Sequence, residues 1–246
     1  MSKVYYIVAH HKEEVFQSWL KPYLPKARSI LVKDQEGLDT MPKKYNKGMD
    51  ALRKKLNNNI EKDDIIVFVH EDVKIDDPDF ENKLKYYFNI DKKLGVAGVY
   101  GSRIWAGGGW WQYDRATHAI GEINQGYNDG KVVRMKDNPT AYSNDLVVVD
   151  GCMFAIRAEL INKQPFDETL TGWHHYDNSY CIQTLIETEY KIGVIGTLIT
   201  HSSEGALNQD WVDGAKNLQQ KYMEAGYRLP LTSYYLKEKQ NEKLNQ

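Results

Sequence analysis

Short apolar runs alternate with helical periods of apolar residues along the first hundred positions of the chain. The runs are unbroken, which is typical of strands that are buried on both faces of a sheet. They lie at residues 4–8, 29–32, 65–69 and 95–100. Between them, apolar residues recur at helical spacing over residues 15–23, 46–56 and 80–88. This order of strand, helix and strand predicts right-handed βαβ units, and hence an α/β fold with a mostly parallel central sheet.

The pattern changes in the second half of the chain. Residues 101–145 carry few apolar runs, and we expect a loop-rich insertion that faces a substrate, with one weak strand at 132–135. Strands are then predicted at residues 146–149, 153–156, 192–195 and 198–200, and helices at residues 178–189 and 211–222. Because no repeat or linker interrupts this series, we interpret residues 1–246 as a single domain with a polar tail at 236–246.

The composition excludes several classes of protein. The 246 residues carry a net charge of −2 with no block of like charges, so no surface for nucleic acid is indicated. No apolar stretch approaches the length of a membrane span, and the first residues enter a strand without a signal peptide. Cys152 and Cys181 match neither a disulfide framework nor a zinc spacing, so we expect a cytoplasmic protein. The 17 tyrosines and 6 tryptophans slightly favour a pocket for amphipathic ligands such as sugars.

An acidic pair, Glu71 and Asp72, comes soon after the third apolar run, which ends at Val69. In open α/β sheets, ligands bind beyond the carboxyl ends of such strands. An unpaired acid is seldom buried, and carboxylate oxygens are good ligands for divalent cations. The pair therefore predicts a metal site, and the alternative is a strand that reaches water with exposed acids at its end.

Common phosphate-binding motifs do not occur in the sequence. The first strand is not followed by a G-x-G-x-x-G turn, and the chain has no P-loop. Neither a dinucleotide-binding fold nor an NTPase is therefore supported.

Four segments together carry a resemblance to a known family. They are Tyr45–Gly48, Phe68–Val73, Val149–Arg157 and Trp173–Cys181. In their order and spacing, the chain resembles nucleotide-sugar glycosyltransferases of the GT-A fold, in particular the inverting, family-2-like enzymes. The resemblance implies a three-layer α/β/α, Rossmann-like fold, with a donor-binding half at residues 1–100 and an acceptor-binding half at residues 101–235. It also implies a nucleotide-sugar donor, most often a UDP-sugar, and a glycan, a lipid-linked precursor or a small molecule as the acceptor.

The resemblance further implies a divalent metal, Mn²⁺ or Mg²⁺, at the end of the third strand. Members of the family place an Asp-x-Asp motif there, and this chain has His70, Glu71 and Asp72. Asp72 matches the acid that contacts the metal, His70 is a nitrogen ligand or a ribose contact, and His201 matches a further metal or diphosphate contact. The alternative for His201 is an ordinary surface or packing residue. Such a metal neutralises the charge that grows on the leaving nucleoside diphosphate.

Asp177 is the general base that the resemblance implies. The family keeps an acid at the start of a helix that faces the sugar, where it removes the proton from the acceptor hydroxyl. One carboxylate is sufficient, because an inverting transfer is a single in-line displacement. The alternative is that Asp177 caps a helix beginning near Asn178.

The resemblance also implies positions for the donor and the other substrate. The nucleotide lies at the ends of the first strands, which gives as donor-binding residues Ala9, His10, Asp34, Asn46 and Glu71. The implied substrate-binding residues are Trp110, Trp111, Asp150, Gly151 and Trp173. Two alternatives stay open: Asp34 is a turn residue before Gly37, and the tryptophans are core aromatics.

Two other functional classes are alternatives to glycosyl transfer. A nucleotidyltransferase carries a glycine-rich, basic phosphate loop after the first strand, and His10–Glu13 is no such loop. A catalytically weak or inactive relative that only binds a nucleotide or a carbohydrate stays open, because His70 replaces the first acid of the motif. Metal-dependent hydrolysis of the donor distinguishes an enzyme from a binding protein.

Overall fold

The computed structural model describes residues 2–34, 40–109, 114–127, 130–170, 172–203, 205 and 207–244. The α-helices in this part of the chain are α1 (Glu13–Ser18), α2 (Met41–Lys55), α3 (Phe80–Ile90), α4 (Arg115–His118), α5 (Tyr176–Glu187), α6 (Gln209–Glu224) and α7 (Ser233–Leu244). Among the residues described, none of the helices is both long enough and apolar enough to cross a membrane.

The strands fall into two main sheets and one short pair. Their bounds are β1 (Val4–His10), β2 (Ser29–Lys33), β3 (Ile65–His70), β4 (Val73–Ile75), β5 (Leu94–Gly98), β6 (Tyr100–Ser102), β7 (Ile104–Trp105), β8 (Ala119–Gly126), β9 (Val132–Asp137), β10 (Tyr142–Leu146), β11 (Val148–Val149), β12 (Met153–Arg157), β13 (Lys191–Ile195), β14 (Ile199–His201) and β15 (Leu231–Thr232). Strands β15 and β7 form the short pair.

The central sheet has seven strands in the order β10-β13-β5-β12-β3-β1-β2. Strands β2, β1, β3, β5 and β13 run in one direction, whereas β12 and β10 run antiparallel to their neighbours. The apolar run of β3 is completely buried, so both faces of the sheet are covered at its centre. The predicted α/β class, with a mostly parallel central sheet, is confirmed.

Helix α2 packs against β1 and β2 and begins at Met41, earlier than the predicted start near Asn46. Pro42 lies in its first turn, where a proline costs no hydrogen bond of the helix. At Gly48 an added Cβ would lie 2.3 Å from Cγ2 of Ile7, so this glycine allows the helix to approach β1 closely.

Most of the predicted loop-rich insertion at residues 101–145 consists of strands. The second sheet has the order β11-β6-β8-β14-β4, and β9 pairs with β8. The apolar pattern of the sequence does not predict β8 or the full length of β9. β8 mixes glycine with polar residues, and β9 is largely exposed. The weak strand predicted at 132–135 is confirmed within β9.

Two further segments differ from the prediction. The strand expected at 146–149 is divided, because β10 ends at Leu146 in the central sheet and β11 begins at Val148 in the second sheet. The predicted polar tail is helical as far as Leu244, and the completely buried Leu236 anchors this helix, α7, which packs against α5.

Arg157 lies at the edge of the sheet opposite to the carboxyl end of β3, since it pairs with Ile65 in the antiparallel register. Its guanidinium donates to the carbonyl oxygens of Phe88, Asp91 and Leu94 and to the carboxylate of Asp63. Arg157 therefore holds the end of α3 and takes no part in the site described below.

Candidate active site

The carboxyl ends of β1 and β3 and the turn before β12 meet at one edge of the central sheet. Because β12 is antiparallel to β3, the turn Asp150–Cys152 lies beside His70, whose N–H donates to the Cys152 carbonyl oxygen at 2.9 Å. The first turn of α5 and the end of β14 complete the surroundings of a cavity of about 540 Å³. Its volume lies in the range of ligand pockets.

Three predicted metal ligands, His70, Asp72 and His201, lie close together, and two of them, His70 and His201, line this cavity. One ligand atom from each residue lies within 4.8 Å of the other two. They belong to different elements: His70 ends β3, Asp72 lies in the turn before β4, and His201 ends β14. Two imidazoles and a carboxylate fit a divalent transition metal such as Mn²⁺ better than Mg²⁺, which prefers oxygen ligands.

The protonation states of His70 and Asp72 favour the binding of a metal ion. Burial lowers the pKa of His70 to about 4, so its imidazole is neutral at pH 7 and keeps a lone pair. Burial opposes the ionisation of Asp72, yet the neighbouring His201 and His70 hold the pKa of its carboxyl below the ordinary value. Nε2 of His201 lies 3.5 Å from Oδ1 of Asp72.

Asp177 lies in the first turn of α5 and lines the same cavity. Burial raises the pKa of its carboxyl to about 7, and the nearby charge of Asp150 adds to the shift. The helix begins at Tyr176 with His175 as the capping residue, so the alternative that Asp177 caps the helix is wrong. A carboxyl with a pKa near neutrality is able to accept a proton at physiological pH.

Gly151 allows the turn before β12 to approach α5. A Cβ at this position would lie 2.5 Å from the hydroxyl oxygen of Tyr176 and 2.9 Å from Oδ2 of Asp177. Asp150, Gly151 and Trp173, which the sequence predicts as substrate-binding, all line the cavity. Trp110 and Trp111, predicted with them, lie outside the described residues.

Glu71 bonds to the protein itself rather than facing the cavity. Its Oε2 accepts from the backbone N–H of His11 and lies 2.7 Å from Nδ1 of His10, and its Oε1 accepts from the backbone N–H of Lys12. The buried ring of His10 also lies 3.0 Å from Oε2 of Glu13. These contacts fix the loop after β1, which follows Ala9, and donor binding by Glu71, His10 and Ala9 stays a prediction.

Because Glu71 is buried with both oxygens occupied, Glu71→Gln is expected to lower the free energy of unfolding by about 1–3 kcal/mol. The new amide would put an N–H donor against a backbone N–H. Urea unfolding followed by circular dichroism measures the change. The matched control is Glu14→Gln, at an exposed acid of α1, with no change expected. Equal unfolding midpoints for the two variants would contradict this role.

Asn46 is also bonded within the protein. Its Oδ1 accepts from the backbone N–H of Phe166, and its Nδ2 donates to the Phe166 carbonyl oxygen and to Glu168. The carboxamide thus ties α2 to the segment at 166–168. The predicted role of Asn46 in donor binding stays a prediction.

Asp34, at the end of β2, belongs to a charged cluster with Lys44, His11 and Trp173. Its carboxylate oxygens lie 2.6 Å from Nζ of Lys44 and 2.6 Å from Nδ1 of His11. The completely buried Lys44 places its ammonium 4.3 Å from the ring centre of Trp173. Trp173 is 42% exposed, so it is a surface aromatic and not part of the core.

Three site residues were missed from the sequence: Lys44, Tyr176 and Gln125. Lys44 falls at helical spacing with the buried Met41 and Gly48, which was a signal that this lysine faces the core. Tyr176 stands next to Asp177 in a segment that the sequence does single out. Gln125 carried no signal, because its strand was not predicted.

Comparisons with known proteins place this geometry in context. A family described as glycosyltransferase-like matches residues 25–228, most of the chain. The fold is similar to the crystal structure of GalNAc-T7 with UDP, GalNAc and Mn²⁺, at 9% identity and a TM-score of 0.52, over 88% of this chain and 48% of that one. The chain therefore spans about half the length of that protein. A197 from STIV is also similar, at 10% identity and a TM-score of 0.44, over 80% of this chain and 82% of that one. No curated protein sequence matches.

Proposed function

The chain belongs to this glycosyltransferase-like family, and from that premise we propose that it transfers a sugar from a UDP-sugar to an acceptor hydroxyl with inversion at the anomeric carbon and with the help of a divalent metal. One observation carries the proposal: the two histidines of a three-residue cluster of candidate metal ligands and a carboxyl with a pKa near neutrality line the same cavity. The candidate ligands would hold a metal ion that stabilises the leaving diphosphate, and the carboxyl would take the proton of the attacking hydroxyl.

His70, Asp72 and His201 are the residues that would hold the metal. A divalent cation in this position supplies a positive charge for the diphosphate that leaves the donor sugar. The two imidazoles favour a transition metal over Mg²⁺, and Mn²⁺ is the ion proposed for the tests. The similar GalNAc-T7 structure contains UDP and Mn²⁺, which agrees with both choices.

Asp177 is proposed to remove the proton from the acceptor hydroxyl as that oxygen attacks the anomeric carbon. The new bond forms on the face of the anomeric carbon opposite to the bond that breaks to the diphosphate, so the configuration is inverted and one base is sufficient. Asp150 then acts through Asp177, because its negative charge helps to keep the pKa of that carboxyl high.

The nucleoside of the donor is proposed to lie beside Asp34, His11 and Trp173. These side chains cluster at the carboxyl ends of β1 and β2, where ligands of open α/β sheets bind. Lys44 covers one face of the Trp173 ring, which leaves the other face for stacking. Asp34 acts by holding Lys44 and His11 in place.

The acceptor is proposed to be a neutral, hydroxyl-bearing group such as a sugar ring. The described wall of the cavity includes Trp173, Trp211 and Tyr127 and contains neither lysine nor arginine, whereas Asp150 and Asp177 also line it. An acceptor with a phosphate near the reacting hydroxyl would meet these acids without a basic side chain to compensate its charge. A neutral glycoside and its phosphorylated counterpart, offered with the same donor, test this choice.

Calorimetric titration of UDP into the protein, with and without Mn²⁺, is the first test of the proposed function. Binding that requires the metal supports the donor site, and failure of UDP, GDP and CDP alike would contradict it. Metal-dependent hydrolysis of a UDP-sugar then distinguishes a transferase from a protein that only binds the nucleotide. Binding without hydrolysis would favour the inactive relative.

A further inference from the structure

Both histidines among the proposed metal ligands have a ring nitrogen in a hydrogen bond to a neighbouring side chain, and in His201 the second nitrogen, Nε2, also lies 3.3 Å from the hydroxyl oxygen of Ser203. Nε2 of His70 lies 2.7 Å from the hydroxyl oxygen of Tyr176, and Nδ1 of His201 lies 3.4 Å from Oε1 of Gln125. A neutral imidazole carries one N–H and one lone pair. The partner of one nitrogen therefore decides whether the other nitrogen is able to bind a metal.

The hydroxyl hydrogen of Tyr176 takes part in a hydrogen bond to the backbone. The hydroxyl oxygen lies 2.8 Å from the carbonyl oxygen of Gly151, which is only able to accept. Tyr176 must donate there, so towards His70 it acts as the acceptor of an Nε2–H. Nδ1 of His70 then keeps its lone pair, and among the described residues it has no hydrogen-bond partner.

The orientation of the Gln125 side chain is fixed in a similar way. Its Nε2 donates to the carbonyl oxygens of Gly126 and Ser203, so Oε1 is the atom that faces His201. Oε1 accepts from Nδ1–H of His201. The lone pair of His201 is therefore on Nε2, which lies 3.5 Å from Oδ1 of Asp72 and accepts from the hydroxyl of Ser203 in the metal-free protein.

We propose that Tyr176 and Gln125 are positioning residues that fix the two histidines in opposite tautomers, with the proton of His70 on Nε2 and that of His201 on Nδ1. Each histidine then presents a lone pair to a cation that Asp72 also binds. The metal-binding part of this inference rests on the proposed function. Tyr176 has a second effect, because the same hydroxyl joins the metal cluster to the turn at Gly151 and to the helix that carries Asp177.

Tyr176→Phe tests the assignment, and Tyr180→Phe is its matched control. Both tyrosines lie in α5 and are buried, but the Tyr180 hydroxyl has no hydrogen-bond partner among the described residues. Long-range ¹H–¹⁵N spectra of the metal-free protein report which ring nitrogen of each histidine is protonated. We expect Nε2–H for His70 in the wild type and in Tyr180→Phe, and a mixture of tautomers in Tyr176→Phe.

Mn²⁺ titration of the same three proteins gives the second measurement. Loss of a hydrogen-bond partner behind a metal ligand typically costs about 10–100-fold in metal affinity, and we expect this loss in Tyr176→Phe alone. Gln125→Met makes the corresponding change at His201 and keeps the inference testable if Tyr176→Phe does not fold.

Two results would overturn the assignment. One is a wild type in which His70 carries its proton on Nδ1. The other is a Tyr176→Phe protein whose tautomer and Mn²⁺ affinity equal those of Tyr180→Phe. The tautomer measurement needs no metal, so a wild type that binds no Mn²⁺ would overturn the proposed function while the tautomers still decide the role of Tyr176.

Discussion

Asp177→Asn is expected to abolish glycosyl transfer and, at the same time, to stabilise the folded protein. Loss of a general base typically lowers turnover by about 10²–10⁴-fold, while the affinity for UDP with Mn²⁺ should not change, because Asp177 is not among the three clustered metal ligands. Initial rates and UDP titrations of the variant measure the two effects. Near-normal turnover would show that another group is the base.

The stabilisation follows from the raised pKa of Asp177, which is about 7 in the folded protein against 3.8 for the free side chain. A folded-state pKa above the unfolded value means that the folded protein binds the proton more tightly. The wild type therefore loses stability as pH rises from about 4 to about 7, and asparagine, which does not ionise, removes that loss. The melting temperature of the variant should exceed that of the wild type at pH 8 and equal it near pH 4.

The same pKa predicts the acid limb of the pH–rate profile. Asp177 accepts a proton only when it is ionised, so transfer should fall as pH decreases through about 7. Asp213→Asn, at an exposed acid of α6, is the control for both measurements and should change neither rate nor melting temperature. A melting temperature of Asp177→Asn equal to that of this control at pH 8 would contradict the burial of a charged Asp177.

Asp72→Asn is expected to remove the binding of Mn²⁺ and of UDP together. Asparagine keeps the size of the side chain but lacks the negative charge, and in the folded protein the Asp72 carboxyl is ionised between His70 and His201. A change at a direct ligand should cost at least about 100-fold in metal affinity, more than a change behind it. Titration of UDP at fixed Mn²⁺ measures the coupled loss.

Asp79→Asn is the control for Asp72→Asn. Asp79 is an exposed residue before α3, where asparagine caps a helix as well as aspartate does. UDP should bind this variant as it binds the wild type. If Asp72→Asn retained Mn²⁺-dependent UDP binding, the metal would have to be held elsewhere. Together, Asp72→Asn and Asp177→Asn separate donor binding from the chemical step.

The sequence predicts well those parts of the fold whose burial leaves a pattern along the chain. β1, β3 and β5 are buried runs, and the helices between the strands have one apolar face, so the sequence shows both the apolar runs and the helical period. β9 pairs with β8 and is largely exposed, and β8 mixes glycine and polar residues with its buried apolar ones, so neither strand shows a clear apolar period. The residues at 101–145 were therefore predicted as a loop-rich insertion with one weak strand at 132–135.

In the site, charged residues at strand ends were found because position alone suggests their chemistry. The topology brings His70, Asp72 and His201 together as the resemblance implies, although 129 positions separate Asp72 from His201 (201 − 72). Hydrogen-bond partners were not predictable in this way. Tyr176 and His70 are 106 positions apart, and the oxygens of Glu71 bind backbone N–H groups, which carry no sequence identity.

Glu71 stands between two of the proposed metal ligands in the chain, and its carboxylate holds the loop after β1. Its hydrogen bonds consequently join residues 10–12 to residues 70–72, between the proposed nucleoside site and the proposed metal site. The conformational entropy of ordering these two segments is lost when the protein folds. A donor that binds as proposed would meet a preorganised edge, and little of its binding free energy would be consumed in ordering the chain around it.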